Sequence, residues 1–403
     1  MTAIDEDFLD RISDAPQAHK PLALQAAEVN HSRLGHIPAL DGVRGVAIIL
    51  VLFNHFSPVA AYGNGMAKIV EPITKNMGVG VDLFFVLSGF LITGILLRSR
   101  SSKNYFRNFY TRRALRIFPL YYFVLILLAI GLHVIPSWEK LTTLRNAWPW
   151  YWFYGTNYLV CRTGFAWLDH SQVSLGHLWS LAVEEHFYLF WPLMVWFLSE
   201  RGLVRLCIAL IVIAPLCRAY AVLLGLDPHI PMVATQCRMD SLALGALLAV
   251  VIQHTSPAQL VSRFKWIGLF CAVAAVICFA MDGRVIDSIQ LRKPVAIFSY
   301  TFVAFAWGVF LLSALSIGPL NRLMSQRWLG FFGVYSYGMY IYHRIILNTL
   351  TTWFSIRRLA WHGHIWTAIL PHYILCFGAT ILIALASYHL FEKHFLKLKR
   401  WFE

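Results

Sequence analysis

Charged residues are scarce in this chain. Asp, Glu, Lys and Arg make up only 13% of its 403 residues, against 58% hydrophobic, and the acids number just 20. A soluble globular domain carries about 25% charge, so that class is excluded. Cysteine occurs seven times, at Cys161, Cys207, Cys217, Cys237, Cys271, Cys278 and Cys376, but never as CxxC and never with Cys/His metal spacing. A zinc site and a disulfide framework are thereby excluded, and no metal is expected. There is no internal repeat and no low-complexity tract. The first 36 residues hold Asp5, Glu6, Asp7 and Asp10 and lack an apolar core, which excludes a secretory signal and leads us to expect a disordered cytoplasmic tail.

Long apolar runs are what the chain has instead. Ten are long enough to cross about 30 Å of hydrocarbon: 45–62, 77–98, 114–135, 177–199, 203–225, 231–253, 264–283, 294–317, 328–350 and 366–391. The expected fold class is therefore all-α, a polytopic membrane bundle of about ten helices whose partner is the lipid bilayer. Residues 147–160, AWPWYWFYGTNYLV, are aromatic and too short to span, and read as one interfacial or re-entrant piece. A net charge of +14 raises the possibility of nucleic-acid binding, but the cations follow the topology instead of forming a basic domain. Seven basic residues and no acid lie between Arg98 and Arg116, which makes that loop cytoplasmic. Both termini then face the cytoplasm of a plasma (inner) membrane, in agreement with a basic tail at 394–403.

Polar groups inside the runs carry the chemistry, because ionisable residues at that depth are costly. Arg44 and His55 are eleven residues apart, three turns plus about 20°, so they share one helix face at about 16 Å separation. A pocket histidine titrates near neutrality and can take a proton from a hydroxyl nucleophile. Arg112, Arg113 and Arg116 lie in RRALRIFP, with Arg113 and Arg116 at i, i+3, a spacing that suits phosphate oxygens. Glu184 and Glu185 are adjacent in SLAVEEHFYLF and cannot both face lipid. Asp82, near the outer end of its helix, is placed to orient His55. Arg238 and Asp240 are expected to pair with each other or with the glutamates. His343 and Glu392 read as structural, and Ser88-Gly89 as a packing site, since no GxSxG elbow surrounds it.

With these residues in view, the chain resembles the acyltransferase-3 family of integral membrane O-acyltransferases. The carriers are LDGVRGVAIILVLFNH, GVDLFFVLSGFLIT, RRALRIFPLYY, HLWSLAVEEHFYLFWPL, RMDSLALGALLA and SYGMYIYH, in the family's order and spread over 37–393. Two departures stand out: His186 occupies a position where the family usually has Gln, and Glu392-Lys393-His394 lacks the family's proline. The resemblance implies an acyl-coenzyme A donor, most simply acetyl-coenzyme A, held by Arg113 and Arg116 with Arg112. It also implies a carbohydrate or glycoside hydroxyl as acceptor, with His55 as general base. Arg44 would stabilise developing charge or fix the donor, and Asp82, Glu184 or Glu185 would orient the imidazole. The alternative from a different class is a transporter using buried ionisable residues as a relay, for which inverted repeats and paired broken helices are missing.

Overall fold

A computed structural model of the chain describes residues 37–57, 73–74, 76–134, 142–169, 175–284, 289–362 and 364–402. The acidic tail of residues 1–36 lies outside them. Twelve principal helices follow in order: α1 (Pro38–Phe56), α2 (Gly80–Ser99), α3 (Tyr105–Val134), α4 (Thr142–Trp152), α5 (Thr156–Asp169), α6 (Trp179–Phe197), α7 (Glu200–Leu223), α8 (Thr235–Val251), α9 (Pro257–Arg284), α10 (Ile289–Leu315), α11 (Arg327–Trp353) and α12 (Ile369–Ser387). Among the described residues the only β pairing is the isolated bridge Trp361–His364. The fold is thus an all-α bundle.

Helix limits follow local chemistry. Helix α1 starts earlier than hydropathy alone suggests because Pro38 supplies a ready first-turn φ, and it stops at Phe56 because Ser57 precedes a proline and is extended. Ser199 caps α7, its hydroxyl accepting from the Gly202 amide at 3.2 Å. Residues 147–160 form parts of two short helices rather than one piece, broken at Phe153–Gly155, where Tyr154 takes a φ of +52°. Residues 394–402 of the basic tail expected at 394–403 lie in helical turns, Lys393–Lys397 and Leu398–Phe402, after a π-helical turn at Tyr388–Glu392. They lie back along α3, with the Phe391 ring stacked on Phe123 and the Arg107 guanidinium over Phe402.

Eight helices among the described residues are long and apolar enough to cross a membrane. The two expected spans outside that set are α6 and α11. With 19 and 27 residues they have the length, but they carry polar groups such as Glu184, Glu185, His343 and Arg344. Large apolar side chains such as Leu216, Phe270, Val276, Leu370 and Leu382 stand exposed on the outer helices, as hydrocarbon requires.

Two crossings set the interior. A Cβ on Gly333 of α11 would stand 1.9 Å from the Asp41 carbonyl oxygen of α1. On Gly245 of α8 it would stand 1.9 Å from the Val86 oxygen of α2. Only glycine lets the backbones approach so closely, the usual device of packing where no hydrophobic drive separates helix from lipid. These crossings fix α11 on α1 and α8 on α2, and residues of α1, α2, α6 and α11 face a common interior.

Candidate active site

That interior encloses a cavity of about 710 Å³. Its lining follows α2 from Val81 to Ser99, about 27 Å at 1.5 Å per residue. At the end marked by the last turn of α2 the lining includes Arg44, Arg98, Arg112, Arg113, Arg116 and Lys399. The acids of the lining are Asp41 and Glu184, so six basic residues face two acids, a formal excess of four positive charges. Asp41 accepts from Arg44 at 2.7 Å. Glu184 accepts from Ser88 at 2.9 Å and from Tyr188 at 2.8 Å, while Arg113 lies 3.9 Å from it and stacks 3.6 Å over the Tyr188 ring. This network orients Arg113 without neutralising the group around it.

Away from that end the lining includes Ser180 of α6 and Tyr340 of α11, both buried and 2.5 Å apart. Tyr340 has one hydroxyl proton and donates it to the His177 carbonyl at 2.8 Å, so Ser180 is the donor in the contact between them. Behind this pair lies a group of three histidines absent from the cavity lining. The rings of His55 and His177 each lie 4.8 Å from that of His343. His343 Nε2 stands 3.0 Å from His55 Nδ1, and His343 Nδ1 stands 2.7 Å from the Tyr340 carbonyl. One residue, Tyr340, therefore touches both the cavity and the partner of His55.

The sequence-nominated residues divide between these places. Arg44, Arg112, Arg113, Arg116 and Glu184 line the cavity together. His55 sits beyond it and is partly exposed. Asp82 does not orient His55: it pairs with Arg238 at 2.5 Å, because α2 crosses α8 closely enough to bring the two together. Asp240 pairs with Arg218 at 2.9 Å, so neither partner expected for the Arg238–Asp240 pair is the one found. Glu185 is outside the lining. His186 hydrogen-bonds Thr235 at 2.7 Å, which Asn157 also reaches at 2.9 Å, so this departure from the family pattern ties α6, α8 and α5 together. Ser88 binds Glu184, and Gly89 makes the pair the packing site expected, since a Cβ there would stand 1.9 Å from the Leu242 oxygen of α8. Sequence reasoning did not place Lys399 in the cavity wall, and His343, read as structural, lies beside His55. The signal for His343 was present, a histidine inside an otherwise apolar aromatic run; Lys399 gave none, since its part depends on the C-terminal turns folding back.

A family model for an acyltransferase domain matches residues 37–389, nearly the whole described bundle. The chain belongs to that family. Within this acyltransferase family, a peptidoglycan O-acetyltransferase, OatA, of Listeria monocytogenes is 28% identical over 371 residues, covering 89% of this chain and 55% of the relative. An O-acetyltransferase OatA of Staphylococcus aureus is 26% identical over 339 residues, covering 79% of this chain and 52% of the relative. The chain spans about half the length of the curated relatives it matches. No solved structure matches it. Among the described residues no group of His, Cys, Asp and Glu is disposed to hold a metal ion.

Proposed function

We propose that this acyltransferase moves an acetyl group from acetyl-coenzyme A to a sugar hydroxyl, with the glycan of peptidoglycan as the acceptor class. The observation that carries the reading is one cavity that joins a cationic mouth to the Ser180–Tyr340 pair, with His55 behind it. Coenzyme A carries about four negative charges in its 3′-phosphate and pyrophosphate, which matches the excess on the walls. Arg112, Arg113 and Arg116 bind these phosphates, and Arg44, already turned to Asp41 in the mouth, belongs with the donor. The names of the relatives support the acetyl group and the acceptor. The basic run from Arg98 to Arg116 supports a mouth on the cytoplasmic side of a plasma membrane.

The chemistry then runs through His55. Its imidazole takes the proton of the acceptor hydroxyl as the oxygen attacks the thioester carbonyl, the C–S bond breaks, and the proton passes to the departing thiolate. For the arm to reach His55 the Ser180–Tyr340 pair must part. That frees the Ser180 hydroxyl as a donor where negative charge develops on the carbonyl oxygen, while Tyr340 keeps its proton on the His177 carbonyl. The relay reading is disfavoured because its buried residues are closed into ion pairs, Arg238 with Asp82 and Arg218 with Asp240.

The test is purified protein in bilayers with labelled acetyl-coenzyme A and peptidoglycan fragments. His55→Ala should lower transfer by about 100-fold or more while the protein stays monodisperse. Transfer at the wild-type rate in that variant sinks the general-base assignment.

A further inference from the structure

His343 is completely buried on α11, and its Nδ1 stands 2.7 Å from the backbone oxygen of Tyr340. A carbonyl oxygen only accepts, so Nδ1 of His343 is its protonated nitrogen. The ring packs among His55, Phe56, His177 and Tyr340, and no carboxylate among the described residues hydrogen-bonds to it. The next residue, Arg344, is already a cation. A second, uncompensated positive charge at this depth would be costly, so the ring is neutral and its Nε2 carries a lone pair. His55 Nδ1 faces that lone pair at 3.0 Å. Two lone pairs repel, so Nδ1 of His55 holds the proton and its Nε2 is the basic nitrogen.

We propose that His343 is a positioning residue that fixes His55 as the Nδ1-protonated tautomer and so reserves Nε2 for the acceptor hydroxyl. The proposal rests on the general-base reading of His55. It fills the place expected of a carboxylate with a neutral imidazole, anchored in turn by a main-chain carbonyl. When His55 accepts the acceptor's proton at Nε2, its Nδ1–H stays bonded to His343, which neither gains nor loses a proton. The pair therefore carries at most one charge through the cycle.

Nitrogen-15 NMR of histidine-labelled full-length protein in bilayers reads the tautomer directly. The His55 signals, assigned by their loss in His55→Ala, should show a protonated Nδ1 and an unprotonated Nε2. His343→Phe should lose that preference and lower kcat by about 10- to 100-fold, with little change in KM for acetyl-coenzyme A. His343→Gln, whose side-chain oxygen can accept from His55 Nδ1 where the imidazole Nε2 did, should recover most of kcat. A wild-type spectrum with the proton on Nε2 overturns the proposal even when His343→Phe is not recovered folded, as does a His343→Phe enzyme with unchanged kcat. Activity in His55→Ala overturns the base reading instead, which keeps the two failures apart.

Discussion

Two sets of arginines occupy the same bundle under opposite conditions. Arg218 and Arg238 are buried to 0% and 1% exposure and face Asp240 and Asp82, one carboxylate for each cation. Arg218 also donates to the Ile297 and Cys237 carbonyls and to Thr301, while Arg238 lies 4.0 Å over the Tyr300 ring. These contacts tie α2, α7, α8 and α10 into one knot. Around the cavity six lining cations face two lining carboxylates, with Glu185 and Glu392 behind Arg113 and Arg116, still fewer acids than bases. A buried cation in a membrane protein is therefore not by itself a sign of function. The absence of enough counter-charge is, because such a group is completed only by an anion that arrives.

The contrast predicts separable failures. The largest effect belongs to the knot: Asp240→Leu strands Arg218 in the interior at a cost of about 3–5 kcal/mol. The yield of monodisperse protein in detergent should fall sharply, and a normally folded variant would break the comparison. At the mouth, Arg113→Ala combined with Arg116→Ala removes two charge-assisted partners worth about 1.5–3 kcal/mol each. KM for acetyl-coenzyme A should rise by about 100-fold or more while the melting temperature stays near wild type. Lys399→Ala should be smallest, raising that KM only a few-fold. Added salt should raise KM further in the wild type and less in the Lys399 variant, since screening acts on a partly exposed site and not on the sealed knot.

The architecture was largely legible, because apolar length and charge asymmetry are local properties of the chain. Each of the ten expected spans overlaps a helix among the described residues, eight of them long and apolar enough to cross a membrane, and Arg113 with Arg116 share one side of α3 as expected. Pairing between helices was less legible. Asp82 was expected beside His55 because both sit toward the same end of neighbouring helices, yet the glycine crossing of α2 and α8 commits it to Arg238. Arg218 attracted no notice although it stands alone in an apolar run, and its role is visible only with α8 and α10 alongside. The His55–His343 contact joins residues 288 positions apart, and no periodicity on either helix encodes it.

The Ser180–Tyr340 pair has an electrical consequence. A cavity that admits a charged donor far into the bundle shortens the insulating part of the membrane, so the transmembrane potential falls mostly across the few side chains at its end. In the proposed reaction the acetyl group leaves the thioester as the equivalent of an acylium ion, and the acceptor's proton moves the opposite way to the departing thiolate. The two displacements cancel, so each turnover is electroneutral although it straddles that drop. In oriented proteoliposomes the extent of transfer should not shift with an imposed potential, and a shift would mean that a further charge crosses with the acetyl group. Such a transferase would deliver acetyl groups without discharging the membrane.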